Sequence, residues 1–147
     1  MKKVTWTKIE ELCKKLAREV QESGIQFNAI YGIPRGGLVP ATILSHLLDL
    51  PLLTTDPLIC CRDQPVLLVD DINDTGNTLM AYCGHQNTTS IVLFQRKSSD
   101  VHSDFVGEQL DHEEFLLFPW ECEDKMTEDM NNYYKSRGLY EKEDSKL

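Results

Sequence analysis

Between Trp6 and Gly24 the apolar residues Ile9, Leu12, Cys13, Leu16 and Val20 return at three- and four-residue intervals, the period of one helix face. Thr7 and Glu10 have capping-box spacing at its start, and Gly24 offers a stop. The pattern then changes. Phe27 to Ile33 is short, apolar and β-compatible, which predicts a buried strand. A second helix is predicted over Leu38 to Leu48, entered through Arg35-Gly36-Gly37. Leu52-Leu53-Thr54, Val66-Leu67-Leu68-Val69 and Ile91-Val92-Leu93-Phe94 are further strands, and Thr78 to about Cys83 is a short helix. Strands alternating with helices predict an α/β fold, a mainly parallel twisted sheet with helices on both faces. Past Phe94 the rhythm loosens. Phe105-Val106 and Phe115-Leu116-Leu117-Phe118 read as two more strands separated by a polar turn. Met126, Met130, Tyr133 and Tyr134 are spaced for a surface helix, and a loose charged end follows from about Glu141. The expected organisation is a body over residues 1–123 and a C-terminal helix and tail over 124–147.

Composition narrows the classes. The chain has 147 residues and a formal net charge of -9, which opposes bulk binding of nucleic acid or of an anionic membrane. No apolar run approaches the ~18 residues that span a bilayer. The five cysteines (Cys13, Cys60, Cys61, Cys83, Cys122) are odd in number and lack CxxC spacing, which fits free thiols in a reducing cytoplasm. A zinc site drawn from Cys60, Cys61, Cys83 and His85 is disfavoured, because adjacent cysteines seldom ligate one ion.

The segment Val66 to Leu79 carries the chemistry. An apolar strand ends in Asp70-Asp71, turns through Asp74-Thr75-Gly76 and enters a helix near Thr78. Gly76 lets backbone approach a ligand closely, while the unpaired N–H groups of a helix start and the hydroxyls of Thr75 and Thr78 favour phosphate. Strand-turn-helix capping alone does not require two additional adjacent acids. Asp70 and Asp71 would repel phosphate, so they call for a second ligand feature that wants acceptors, a ribose diol or a hydrated Mg²⁺. Phosphoribosyl pyrophosphate combines all of these.

The segment resembles the phosphoribosyl pyrophosphate signature of type I phosphoribosyltransferases, acid-Asp-x-x-Asp-Thr-Gly-x-Thr after an apolar strand. Tyr31-Gly-Ile-Pro34-Arg35-Gly36-Gly37-Leu38-Val39-Pro40 is similar to the family's pyrophosphate loop, most closely the form in bacterial xanthine-guanine phosphoribosyltransferases. That loop often holds a non-proline cis peptide, here Pro34–Arg35. Glu114-Phe115-Leu116-Leu117-Phe118-Pro119-Trp120-Glu121 resembles the base-site segment Trp-Ile-x-x-Pro-Trp-Asp of the same subgroup. The resemblance covers roughly Val4 to Glu121 and leaves the last twenty-six residues unmatched.

It implies a Mg²⁺-dependent transferase joining a free 6-oxopurine (guanine, xanthine or hypoxanthine) to the ribose of phosphoribosyl pyrophosphate. Asp70 and Asp71 would take the ribose hydroxyls and metal, Thr75, Gly76, Asn77 and Thr78 the 5′-phosphate, and Arg35, Gly36 and Gly37 the pyrophosphate. Asp74 would handle the purine N7 proton. Phe115 would stack on the base, the Leu116 carbonyl would read an exocyclic amine, and Arg96 or Lys97 would donate to the 6-oxo group. A small hood over residues 96–121 and a homodimer are also implied. One departure stands out: relatives carry a longer mobile arm with a Ser-Tyr pair where this chain has only Thr55 to Gln64. A non-catalytic regulatory protein binding the sugar phosphate or a nucleotide therefore stays open. A phosphoacceptor domain is nearly excluded, since its acid pair would follow the first strand.

Overall fold

The computed structural model describes residues 1–61, 63–82 and 87–139. In chain order the elements are β1 (Lys2–Lys3), α1 (Trp6–Ser23), β2 (Ala29–Gly32), α2 (Leu38–Leu48), α3 (Pro57–Cys60), β3 (Val66–Asn73), α4 (Asn77–Met80), β4 (Thr88–Arg96), β5 (Phe105–Leu110), β6 (Leu116–Leu117) and α5 (Glu123–Ser136). They fall into two compact units, Thr7–His112 on one hand and Met1–Trp6 with the chain from Glu113 onward on the other.

The larger unit is built on a four-stranded, wholly parallel sheet in the order β2-β3-β4-β5. Val66, Leu67, Leu68 and Val69 in β3 and Ile91 to Phe94 in β4 are buried, because inner parallel strands have both faces covered. Alternation sends Val66 and Leu68 to one face, where they pack with Tyr31, Ile33 and Leu79 of α4. The apolar stripe of α1 is buried as its periodicity predicts. Lys15 of that helix donates to the Gly107 carbonyl at 2.6 Å, which ties α1 to β5. Helix α2 has the predicted limits, entered from Gly37 and closed by Asp49 in the left-handed conformation, φ 53°. Among the described residues no helix is long and apolar enough to cross a membrane.

Several local expectations are corrected. Helix α1 begins at Trp6, so Thr7 lies inside it, and the Glu10 carboxylate pairs with Lys14 at 2.8 Å instead of closing a capping box. Leu52–Thr54 is no strand: Leu52 makes a single parallel bridge with Ile30, because Pro51 lacks an N–H and Asp56-Pro57 starts α3 soon after. Strand β3 runs two residues beyond the acids in which the expected strand ends. Its pairing with β4 continues through Asp70↔Val92 and Ile72↔Phe94 to Asn73↔Gln95, so Asp70 and Asp71 lie within the strand. Helix α4 closes at Met80, and residues 83–86 lie outside the described residues, as does the charged end from Glu141. β5 extends to Leu110 and joins the main sheet, so the hood does not include it.

The smaller unit carries a two-stranded parallel ladder of β1 on β6, in the register Lys2↔Leu116 and Lys3↔Leu117. Trp120 stacks on Phe118 with ring centroids 4.9 Å apart, and Trp6 tilts against Trp120 at 5.9 Å. Helix α5 has no buried residue, yet Tyr134 receives the Phe115 N–H at 2.9 Å and Tyr133 meets the Phe115 ring edge-on.

Candidate active site

Asp70 and Asp71 are adjacent near the end of β3, and their carboxyl groups interact with each other. Each carboxylate is held by main chain: the Asp71 N–H donates to Asp70 Oδ1 at 2.9 Å and the Ile72 N–H to Asp71 Oδ1 at 2.7 Å. Burial pushes the Asp70 carboxyl up to about 8, and the neighbouring Asp71 charge pushes the same way. Asp71 is also raised, again chiefly by burial. Neither acid has a cation beside it among these interactions, so the strand end offers acceptors that favour a positive or hydroxyl-bearing ligand.

The loop from Ile33 to Gly37 is seated against that strand end. The Ile33 N–H donates to the Val69 carbonyl at 2.8 Å and the Gly37 N–H turns back to Ile33 O at 2.9 Å. The Pro34–Arg35 peptide is cis, as the loop's resemblance implied. A Cβ on Gly36 would run into the Asp71 carboxylate, and one on Gly37 would meet the Val69 carbonyl. Two motifs separated by some thirty-five residues of sequence thus touch, and only glycine fits where they do. Arg35 is exposed at the tip of this loop.

Below the acids the chain turns through Asp74, Thr75 and Gly76 into α4. Gly76 has φ +92°. A polar recess of about 70 Å³ opens there, lined by Asp70, Asp74 and the loop from Thr75 to Thr78. The Thr75 hydroxyl accepts from the Asn77 N–H at 3.3 Å, and Thr75, Asn77 and Thr78 are exposed. Asp74 Oδ1 receives the Nε–H of Arg96 at 3.1 Å. Arg96 is only 1% exposed and donates a second bond to the His112 carbonyl at 2.7 Å. Lys97, its neighbour, is exposed. Arg96 is therefore the member of that pair aligned with Asp74.

Phe115 and Leu116 belong to the smaller unit. The ladder to β1 runs through the carbonyls of Phe115 and Leu117, which accept from Lys2 and Val4 at 2.8 Å each. Strand alternation then turns the Leu116 carbonyl toward the opposite edge. Phe115 is half-buried, and the Glu121 carboxylate accepts from the Phe118 N–H at 2.8 Å.

Two groups of residues escaped sequence reasoning. Asn73 and Gln95 are buried polar residues paired in register across β3 and β4, and they bond into the segment around Ser99 to Ser103. A polar residue at the end of each of two apolar strands was the available signal. The second group fixes the short arm. Asp56 caps α3 by accepting from the Leu58 N–H at 2.9 Å, and its other oxygen receives the Tyr82 hydroxyl at 3.3 Å. Cys61 packs on the cluster of Tyr31, Leu68 and Leu79. Its sulfur lies 3.2 Å from that of Cys60, while Cys83 and His85, the other members of the disfavoured zinc set, lie outside the described residues.

Among the described residues no group of three or more His, Cys, Asp or Glu side chains could hold a metal by itself. Asp70, which lines the recess, with Asp71 next to it in the chain, suits a different arrangement, in which one or two protein acids and the phosphates of a substrate share a hard divalent cation.

No family model matches the chain. The xanthine-guanine phosphoribosyltransferase of Idiomarina loihiensis is 29% identical over 139 residues, covering 80% of this chain and 85% of that protein. The crystal structure of a purine phosphoribosyltransferase from Pyrococcus horikoshii superposes with a TM-score of 0.68 at 27% identity, over 82% of this chain and 93% of the other. That of the Helicobacter pylori xanthine-guanine-hypoxanthine phosphoribosyltransferase has a TM-score of 0.67 at 21% identity over 87% of this chain and 98% of that one, and speaks to the fold alone. In sequence and in fold the chain is thus similar to purine phosphoribosyltransferases over about four-fifths of its length.

Proposed function

We propose that this chain transfers the phosphoribosyl group of phosphoribosyl pyrophosphate to a free 6-oxopurine (guanine, xanthine or hypoxanthine), releasing pyrophosphate and a nucleoside monophosphate in purine salvage. The observation that carries it is the contact of Gly36 with the Asp71 carboxylate, which joins a pyrophosphate-type loop to an acidic strand end. Residues 1–123 would contain the machinery, and the free thiols of Cys13, Cys60, Cys61 and Cys122 support a cytoplasmic location.

The bond that forms is between a purine ring nitrogen and ribose C1′, and the one that breaks is from C1′ to pyrophosphate. Positive charge builds on the ribose between them, so catalysis rests on positioning and on charge stabilisation. Asp70 and Asp71 would bind the ribose hydroxyls and hold Mg²⁺, whose chemistry when bound is to neutralise the departing pyrophosphate. Arg35 and the N–H groups near Gly36 and Gly37 would receive that pyrophosphate. Thr75, Gly76, Asn77 and Thr78 would anchor the 5′-phosphate. Asp74, oriented by Arg96, would accept the N7 proton as the base becomes a nucleoside. Phe115 would stack on the purine, the outward Leu116 carbonyl would read an exocyclic amine, and Arg96 or Lys97 would meet the 6-oxo group.

The short arm, tied down through Asp56 and Cys61, favours a second reading, binding of the sugar phosphate without turnover, because a short tethered arm does not sweep over a substrate. Pyrophosphate release from phosphoribosyl pyrophosphate and Mg²⁺, assayed with guanine, xanthine and hypoxanthine in turn, separates the two. The transferase reading expects base-dependent release with at least one purine. Binding of the sugar phosphate with no release under any of the three would replace it by the regulatory one.

A further inference from the structure

We propose that Asn73, Gln95 and Ser99 are positioning residues of the phosphate cradle, forming a buried polar clamp that sets the shape of the Thr75–Thr78 loop from behind. The inference rests on the reading that this loop holds a 5′-phosphate. Asn73 and Gln95 are 3% and 0% exposed, and Ser99 is 4% exposed. The Asn73 amide donates to Gln95 Oε1 at 2.9 Å and to the Val101 carbonyl at 2.5 Å. Its own oxygen accepts from the Ser99 hydroxyl at 3.2 Å. Gln95 Oε1 also accepts from the Ser103 N–H at 3.1 Å, and Gln95 Nε2 donates to the Arg96 carbonyl at 3.1 Å. The Val101 carbonyl is the hub, taking the Ser99 hydroxyl at 2.9 Å besides Asn73.

What the clamp holds is the segment over residues 98–103, and that segment backs the phosphate loop. A Cβ placed on Gly76 would meet Val101 Cβ at 2.9 Å and Ser99 Oγ at 3.1 Å. Gly76 is therefore pressed between the ligand side and this segment, with its φ of +92° held by the packing. An apolar contact here would tolerate sliding. A buried network of directional hydrogen bonds, with the Ser99 proton shared between Asn73 Oδ1 and the Val101 carbonyl, resists such sliding, since displacement lengthens several bonds at once.

The test compares wild type with Asn73→Ala and Ser99→Ala, using GMP and the phosphate-free guanosine as probes in calorimetry or competition. Loss of the clamp should weaken GMP tenfold or more in Asn73→Ala and about threefold in Ser99→Ala. Guanosine affinity and the KM for the purine base should stay within twofold, because neither senses the phosphate. A role in stability alone would lower the melting temperature and leave the GMP Kd of the folded variants at the wild-type value, which overturns the inference. Should Asn73→Ala fail to fold, Ser99→Ala carries the same comparison, since it removes one hydroxyl from a loop. Wild type that binds no GMP would sink the proposed function and the clamp with it, whereas wild-type binding with unaffected variants sinks the clamp only.

Discussion

Asp74 has one oxygen bonded to a buried guanidinium at 3.1 Å and sits on the rim of the polar recess, a position that suits a group meant to exchange a proton in a fixed orientation. Asn keeps the acceptor that Arg96 uses and caps a turn about as well, so Asp74→Asn should fold and bind nucleotide normally. Its turnover should fall by roughly 10²-fold or more if the carboxylate handles the proton. A steady-state rate within about twofold of wild type would remove Asp74 from the chemistry. Gly36→Ala tests the join between the two loops. The added methyl displaces the Asp71 carboxylate, a flexible side chain, so the melting temperature should change little while turnover is lost. Both residues were legible in the sequence because each stands in a local pattern of loop and acid. Asn73 and Gln95 were not, because their significance lies in a register pairing across two strands that no local pattern encodes.

At the scale of elements, the helices with strong periodicity and the buried strands were readable, α2 to the residue. Boundaries failed where a neighbour decides them: β3 runs through both acids because β4 continues to pair with it, and Leu52–Thr54 collapses to one bridge because prolines flank it. The arm shows how one side chain reorganises an element. A four-residue helix such as α3 has little intrinsic stability, so its place depends on the Asp56 cap and the Tyr82 hydroxyl. Burial and the nearby Asp56 charge together push the Tyr82 hydroxyl up to about 12. Tyr82→Phe deletes that tether at a cost of about 1 kcal/mol. Limited proteolysis should then cut within residues 55–64 faster than in wild type while the remainder stays resistant. Unchanged cleavage kinetics would mean that the apolar contacts of Cys61 alone hold the arm.

The part of the molecule least legible was the ladder of β1 on β6. β1 and β6 are two residues each, too short for any periodicity, and they pair across more than a hundred positions of sequence. By contrast the whole-chain properties that rest on burial are predictable from the helix stripe, and Cys13 is the sharpest case. It lies fully buried on α1, and desolvation pushes its thiol up to about 12. In the unfolded chain a thiol titrates near ~8.5. The folded state therefore keeps a proton that the unfolded state releases, and stability falls as pH climbs from about 8.5 toward about 12. At pH 10 the loss is roughly 2 kcal/mol, from about 1.4 kcal/mol for each pH unit above the unfolded value. Tyr82 adds a slope of the same sign at higher pH, so the diagnostic quantity is a difference between proteins. Cys13→Ala creates a small cavity and is less stable than wild type at pH 7. Between pH 8.5 and pH 10 its denaturation midpoint should nevertheless decline less steeply, and the two curves should converge. Parallel curves over that interval would show that the Cys13 thiol ionises as readily in the fold as outside it, and that the inner face of α1 admits water.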